Sequence, residues 1–282
     1  MDVRNLSGKT VLVTGAASGI GKETALACAR RRANLVICDV NEGGLAETEQ
    51  QAHALGCEVY AERVDVADRG AMRRFSEAVH KRVQALDLLV NNAGVGLAGG
   101  FLHTTLEDWD WIVSINLLGV VYGCHFFVPA MVERGEGGHV VNVSSAAGFS
   151  ATELLSAYST TKFAVLGLSE ALRDELSRHG IGVTVVCPGI INTAITETSP
   201  MRGPEASPEL RQRLIETFRR RNYGPRRVAE NILKAVQRNR PLAPISPEAW
   251  AFYFLKRFLP GVMAALNRRM GERMRREAGV EA

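Results

Sequence analysis

A chain of 282 residues with 46% hydrophobic composition can bury a sizeable core and is too short to require two full domains. Its net charge of +4 resides in the tail, since residues 256–282 carry seven basic against three acidic side chains and the other 255 residues hold 27 of each. A balanced body offers no global field to nucleic acid, and no interleaving of aromatic and basic residues marks a single-strand binder.

The first strand-like run, "KTVLVTG", begins at Lys9, which leaves no room for a secretory leader. Five scattered cysteines (Cys28, Cys38, Cys57, Cys124, Cys187) have no metal-ligand spacing and are mostly set in apolar runs. The expectation is a cytoplasmic protein with reduced, packed thiols and no metal. Strand runs follow at 10–15, 34–40, 57–64, 86–94, 138–145 and 182–189, with helix-length segments at 19–32, 43–55, 69–84, 107–134 and 156–180. Nearly continuous apolar strands separated by helices predict a parallel sheet covered on both faces, a doubly wound α/β domain. The late apolar stretch "WAFYFLKRFLPGVMAAL" is interrupted by Lys256, Arg257 and Pro260 and does not read as a membrane span.

In such sheets ligands bind beyond the carboxyl ends of the strands, where the winding reverses. The first strand ends in "TGAASGIG", where Gly15, Ser18, Gly19, Ile20 and Gly21 lead into a helix. Glycines allow backbone amides to approach a phosphate, and the helix N-terminus adds partial positive charge. Asp39 closes the second strand, 18 residues beyond Gly21, where a carboxylate can accept both ribose hydroxyls of an adenosine. An acid there repels a 2′-phosphate and Ser18 supplies no compensating cation, so NAD is favoured over NADP. Arg30, Arg31 and Arg32 lie late in the first helix and read as a solvated helix end.

"TGAASGIG", "NNAG" (91–94), Asn116, "NVSS" (142–145), "YSTTK" (158–162) and "PG" (188–189) stand in the order and spacing of the classical short-chain dehydrogenase/reductase family, which the chain resembles over roughly residues 7–245. The resemblance implies a Rossmann-type fold of seven parallel strands, a nicotinamide cofactor, alcohol–carbonyl interconversion without metal and a homodimer or homotetramer. It divides the chain into a domain of residues 1–246 and a helical extension of residues 247–282.

Oxidising an alcohol requires a base near neutrality, and a free tyrosine, near 10, is too weakly ionised. Lys162 follows Tyr158 by one helical turn, so its charge, with that of the nicotinamide, favours phenolate. By resemblance Lys162 also binds the nicotinamide ribose. The family's serine stands thirteen residues before the tyrosine, which selects Ser145 over Ser144 to stabilise charge on the substrate oxygen. Asn116 falls inside a predicted helix, where asparagine is a poor fit; the resemblance makes it open a kink and hold a water linking the lysine to solvent, against a plain structural role. The same resemblance assigns Asp65 and Val66 to the adenine, Asn92, Ala93 and Gly94 to the ribose and glycine turn, and Pro188, Gly189, Ile191 and Thr193 to the carboxamide or pyrophosphate. Asn91 is expected to tie strands together, and Asp65 can equally be an ordinary strand-end carboxylate.

Residues 194–225 read as a substrate lid whose helix carries Leu210, Leu214, Ile215 and Phe218 on one face, or as an ordinary packed helix. With residues 93–101 and 146–155 they surround a pocket wall with almost no charge, favouring a sterol-like or long-chain secondary alcohol or ketone. The extension has three competing readings: a flap over the site, a subunit interface or a peripheral contact with an anionic membrane. A noncatalytic NAD-binding sensor and a nucleotide-sugar epimerase or dehydratase are the alternative functions.

Overall fold

The computed structural model describes residue 2, residues 4–204 and residues 206–277; Met1, Val3, Glu205 and residues 278–282, the end of the expected extension, lie outside them. Seven strands, β1 (Thr10–Thr14), β2 (Asn34–Asp39), β3 (Val59–Arg63), β4 (Leu88–Asn91), β5 (Gly138–Val143), β6 (Ile181–Pro188) and β7 (Leu242–Ile245), form one parallel sheet. The strand order is β3-β2-β1-β4-β5-β6-β7, so the winding reverses between β1 and β4.

Strand residues alternate between two cores, which is why the runs are apolar without a break. Val11, Val13, Leu35 and Ile37 pack under α1 (Gly19–Ala29), α2 (Glu42–Ala54) and α9 (Pro225–Gln237). Leu12, Val36, Leu89 and Val140 face α3 (Arg69–His80), α5 (Gly119–Arg134) and α6 (Ser156–Ser177). Arg31 joins Glu230 at 2.7 Å and Arg30 approaches Glu23, so these cations brace α1 at the end away from the glycine turn. The five cysteines are buried and unbridged.

Two features depart from the sequence reading. The predicted helix over 107–134 is divided into α4 (Leu106–Val113) and α5 by a π-helical turn, Ser114–Leu118, centred on the buried Asn116. By length and composition Leu106–Arg134 could cross a bilayer, but Phe127, Val128 and Met131 of this segment are buried in the second core. β7 was absent from the apolar runs because it is four residues long and contains Pro244, a residue tolerated on an edge strand.

His139 of β5 is 2% exposed, and its Nε2 lies 2.8 Å from Thr184 Oγ1. That hydroxyl donates to the Arg240 carbonyl, so it accepts from the histidine and places the ring proton on Nε2. Burial pulls the His139 pKa down to about 3. Unfolded, the ring takes up a proton near 6.5, so stability falls as pH drops from there toward 3, by about 1.4 kcal/mol per pH unit. Denaturant unfolding between these limits is expected to show a slope shallower by one proton in His139→Gln than in the wild type; equal slopes would assign the uptake to another group.

Candidate active site

The site is built where β1 and β4 end side by side. Thr14 Oγ1 accepts from the amides of Asn92 and Ala93, each at 3.0 Å, while Asn92 Nδ2 donates to the carbonyls of Thr14 and Gly15 at 3.0 and 3.1 Å. These four bonds draw the glycine turn against "NNAG". A Cβ on Gly21 would stand 2.0 Å from the Gly15 carbonyl oxygen, and one on Gly15, whose φ is +67°, 2.7 Å from Ala93 Cα. Only glycine satisfies both contacts. Ser18 precedes α1 without capping it through its side chain, and no acidic residue occupies the first turn, so the amides around Gly19, Ile20 and Gly21 retain their attraction for an anion. Thr193 reaches over Gly19, whose Cβ would lie 3.5 Å from the threonine methyl.

Asp39 accepts from Ala17 N through Oδ2 and from Asn41 N through Oδ1, each at 2.9 Å. The carboxylate is held rigidly at the glycine turn and still has lone pairs for a diol. Asp65 is exposed and closes its own turn by accepting from Ala67 N at 2.9 Å, while Val66 is buried against Gly119. Gly189 lies against Ser246 and Glu248, and Ile191 is buried beside Pro188 at the end of β6.

Asn91 donates to Asn142 Oδ1 at 2.9 Å, and Asn142 donates to Ser169 Oγ at 3.0 Å, a buried polar ladder from β4 through β5 to α6. It presents Tyr158 and Lys162, both in the first two turns of α6, at the carboxyl edge. Lys162 is 4% exposed; Nζ donates to the Val143 carbonyl at 3.2 Å and lies 5.7 Å from the Tyr158 ring centroid. Burial pulls the Lys162 pKa down to about 8. Ser144 is buried and donates to the Lys162 carbonyl at 2.7 Å, whereas Ser145 is partly exposed and lies beside Tyr158, where its hydroxyl favours the phenolate. The two serines are thus separated by geometry into one that ties β5 to α6 and one that faces the cleft.

The expected drawing of Tyr158 toward neutrality is not met in the protein by itself. Burial pushes its pKa up, with Ser145 opposing, because the side chain packs against the buried cluster of Leu97, Ile112 and Ala157.

Asn116 is fully buried, with Oδ1 accepting from Val95 N at 2.8 Å and Nδ2 donating to Val95 O at 2.9 Å and Thr161 Oγ1 at 3.3 Å. Both its amide protons are therefore committed to protein partners. A Cβ on Gly94 would stand 3.2 Å from Asn116 Oδ1 and 3.4 Å from Lys162 Nζ, so this glycine keeps open the space between them.

After β6 come α7 (Ile195–Thr198) and α8 (Pro208–Arg221). Leu210 and Ile215 of α8 are buried and Leu214 and Phe218 half-buried, with Arg219 paired to Glu197 at 2.9 Å. The stretch that leaves α7 is joined to residue 98 by Ala98 N to Pro200 O and Arg202 N to Ala98 O, and Arg202 grips Asp108 of α4 through two contacts of 2.8 Å. α10 (Pro247–Phe258) and α11 (Pro260–Glu277) fold back onto the site. Glu248 accepts from Ile190 N at 3.0 Å and pairs with Arg221 at 2.8 Å; Asn267 bonds Ser150 and Ala151, and Arg275 pairs with Glu153. The positions missed in sequence, Thr14, Asp108, Arg202 and Glu248, act through partners remote along the chain; only Thr14, inside the "VTG" strand end, carried a local signal.

Comparison with known proteins agrees with this geometry. The family model for short chain dehydrogenases matches residues 9–202. "Probable oxidoreductase EphD" of Mycobacterium tuberculosis is 43% identical over 270 residues, covering 94% of this chain and 46% of that protein, so the chain spans about half the length of that relative. Estradiol 17-beta-dehydrogenase 11 of Macaca fascicularis is 35% identical over 210 residues, 73% of this chain and 70% of that one. A short chain dehydrogenase/reductase from Burkholderia phymatum in complex with NAD superposes with a TM-score of 0.80 at 30% identity, over 89% of this chain and 92% of that one. The fold, the glycine turn and these matches agree: the chain belongs to the short-chain dehydrogenase/reductase family of oxidoreductases.

Proposed function

We propose that the protein interconverts a secondary alcohol and a ketone with NAD, on an apolar substrate such as a sterol-like or long-chain molecule. The observation that carries this reading is the grouping of Ser145, Tyr158 and buried Lys162 on one side of a glycine turn that only glycines can form. The cofactor fits the residues present: the amides of residues 19–21 would hold its pyrophosphate, Asp39 its adenosine ribose, Asp65 and Val66 its adenine, and Lys162 its nicotinamide ribose. Bound NAD supplies the hydride acceptor, or, as NADH, the donor.

Tyr158 removes the hydroxyl proton in oxidation and returns it in reduction. Ser145 donates to the substrate oxygen as charge develops on it. Lys162 holds positive charge behind the tyrosine and offsets the burial that pushes the phenol up. The relay water would sit beside Lys162 where Gly94 leaves out a side chain, while the Asn116 side chain holds the π turn in place. The apolar packing around Tyr158 supports a nonpolar substrate, as does the name of the Macaca relative. Asp39 supports NAD over NADP by repelling a 2′-phosphate. The proposal includes a cytoplasmic homodimer or homotetramer, residues 194–225 as the lid and residues 247–282 as its helical support. The serine, tyrosine and lysine are intact, which disfavours a noncatalytic sensor.

Tyr158→Phe is expected to lose about a thousandfold in kcat on a secondary alcohol while still binding NADH in a fluorescence titration. Full turnover in this variant would exclude Tyr158 as the base. Asp39→Ala is expected to weaken NAD by about tenfold or more and to narrow its preference over NADP; an unchanged ratio of kcat/KM for the two cofactors would place cofactor choice elsewhere. For Lys162 the folded pKa of about 8 lies below the unfolded value of 10.5, so the unfolded chain holds more protons between them and stability rises with pH across that window. Relative to Lys162→Met, the wild type should gain about 3 kcal/mol in denaturant unfolding between these pH values. A flat difference would mean that the ammonium is solvated.

A further inference from the structure

α10 and α11 carry a feature that the oxidoreductase chemistry does not use. One face of the pair is anchored through Ala249, Met263 and Gly271, all buried, with Tyr253 edge-on to Phe149. An adjoining face exposes Phe254, Phe258, Val262, Leu266 and Met270, with exposures of 49, 69, 46, 42 and 40%. Each lies four residues from the last, so within each helix they share one stripe, and the exposed Leu259 lies at the junction. Trp250, Phe254 and Phe258 stack along α10 with ring centroids 5.6 and 6.2 Å apart.

Cations border this stripe. Arg257 stands three positions after Phe254 and Arg269 three after Leu266, with Arg276 one heptad further on; all three are exposed. α11 contains five arginines against Glu272 and Glu277. A second apolar surface, Phe101, Leu102 and Leu106, follows the strip of chain that meets residues 153–154, where Gly99 N donates to Leu154 O at 2.7 Å next to the Glu153–Arg275 pair.

We propose that the stripe from Phe254 to Met270 seats the protein on an anionic lipid bilayer, with its apolar side chains in the acyl boundary and the bordering arginines on headgroup phosphates. A narrow row of large apolar groups edged by arginine fits a fluid apolar layer beneath negative charge. A second copy of the chain fits less well, since it would take the bordering arginines out of water together with the stripe, whereas headgroup phosphates pair with them. The docking is independent of the reaction proposed above.

Co-sedimentation of the full chain with vesicles of phosphatidylglycerol and phosphatidylcholine, and of phosphatidylcholine alone, tests it. The wild type is expected to sediment with the anionic vesicles, less as salt is raised, and less with the neutral ones. Phe254→Ser/Phe258→Ser/Leu266→Ser should abolish sedimentation, and Arg269→Gln/Arg276→Gln should weaken it about fivefold per charge removed. Both variants lie outside the cleft, so NADH titration should be unchanged; the triple variant should melt somewhat lower, because it removes the ring stack on α10, and if it misfolds the arginine pair decides. A wild type that ignores anionic vesicles, or variants that bind them as well as the wild type does, would overturn the proposal. So would a self-association lost in the triple variant when the wild type shows no vesicle binding.

Discussion

Where β1 and β4 end, their chains leave for different elements around the sheet, and the turn between β1 and α1 must come close enough to "NNAG" for backbone to touch backbone. Thr14 and Asn92 close that gap with four hydrogen bonds, and Gly15 and Gly21 supply the absence of side chains without which it would not close. The rest of the site takes its position from this clamp. It directs the first turn of α1 toward the cleft, brings Asp39 onto Ala17, and sets Gly94 in line with Asn116 and Lys162. Because the clamp is made of short polar groups and bare backbone, it leaves little freedom to relax around an added methyl group.

The chemistry at α6 depends on a second constraint, which is electrostatic. An ammonium and a phenol are both buried where the polar ladder of Asn91, Asn142 and Ser169 ends, and burial acts on each against its charged form. Lys162 falls to about 8 and still holds its proton at pH 7, while Tyr158 rises away from neutrality, so in isolation the phenol is the member left un-ionised. A charge brought into the cleft therefore has a large effect, since little water is present to screen it.

The fold was legible because strand ends carry unusual residues and strand interiors carry few. Six runs of β-branched residues mark β1 to β6, and each of the six motifs falls at a strand end, in the helix break or on α6. β7 was not visible because Leu242–Ile245 is short and contains a proline. Asn116 signalled a disturbance by being the wrong residue for a helix, yet a π-helical turn, with both amide protons spent on Val95 and Thr161, cannot be read from one awkward residue. Ser144 and Ser145 are adjacent and chemically alike; the spacing to Tyr158 selects Ser145, and the direction of each hydroxyl supplies the physical reason. The ion pairs Arg202–Asp108 and Arg221–Glu248 join residues 94 and 27 positions apart, and nothing local to either partner announces them.

Those two pairs bear on how the proposed lid, residues 194–225, could move. Arg202 holds its leading end to α4, and Arg221, the last residue of α8, holds its trailing end to α10. A piece of chain fastened at one end swings like a door, but one fastened at both ends can only bow outward between its fastenings, like a strap. In the lid proposed above, entry to the cleft would follow from how far the chain between Arg202 and Arg221 can arch against the packing of Leu210 and Ile215. Loosening either buckle would change the motion itself, turning a strap into a door.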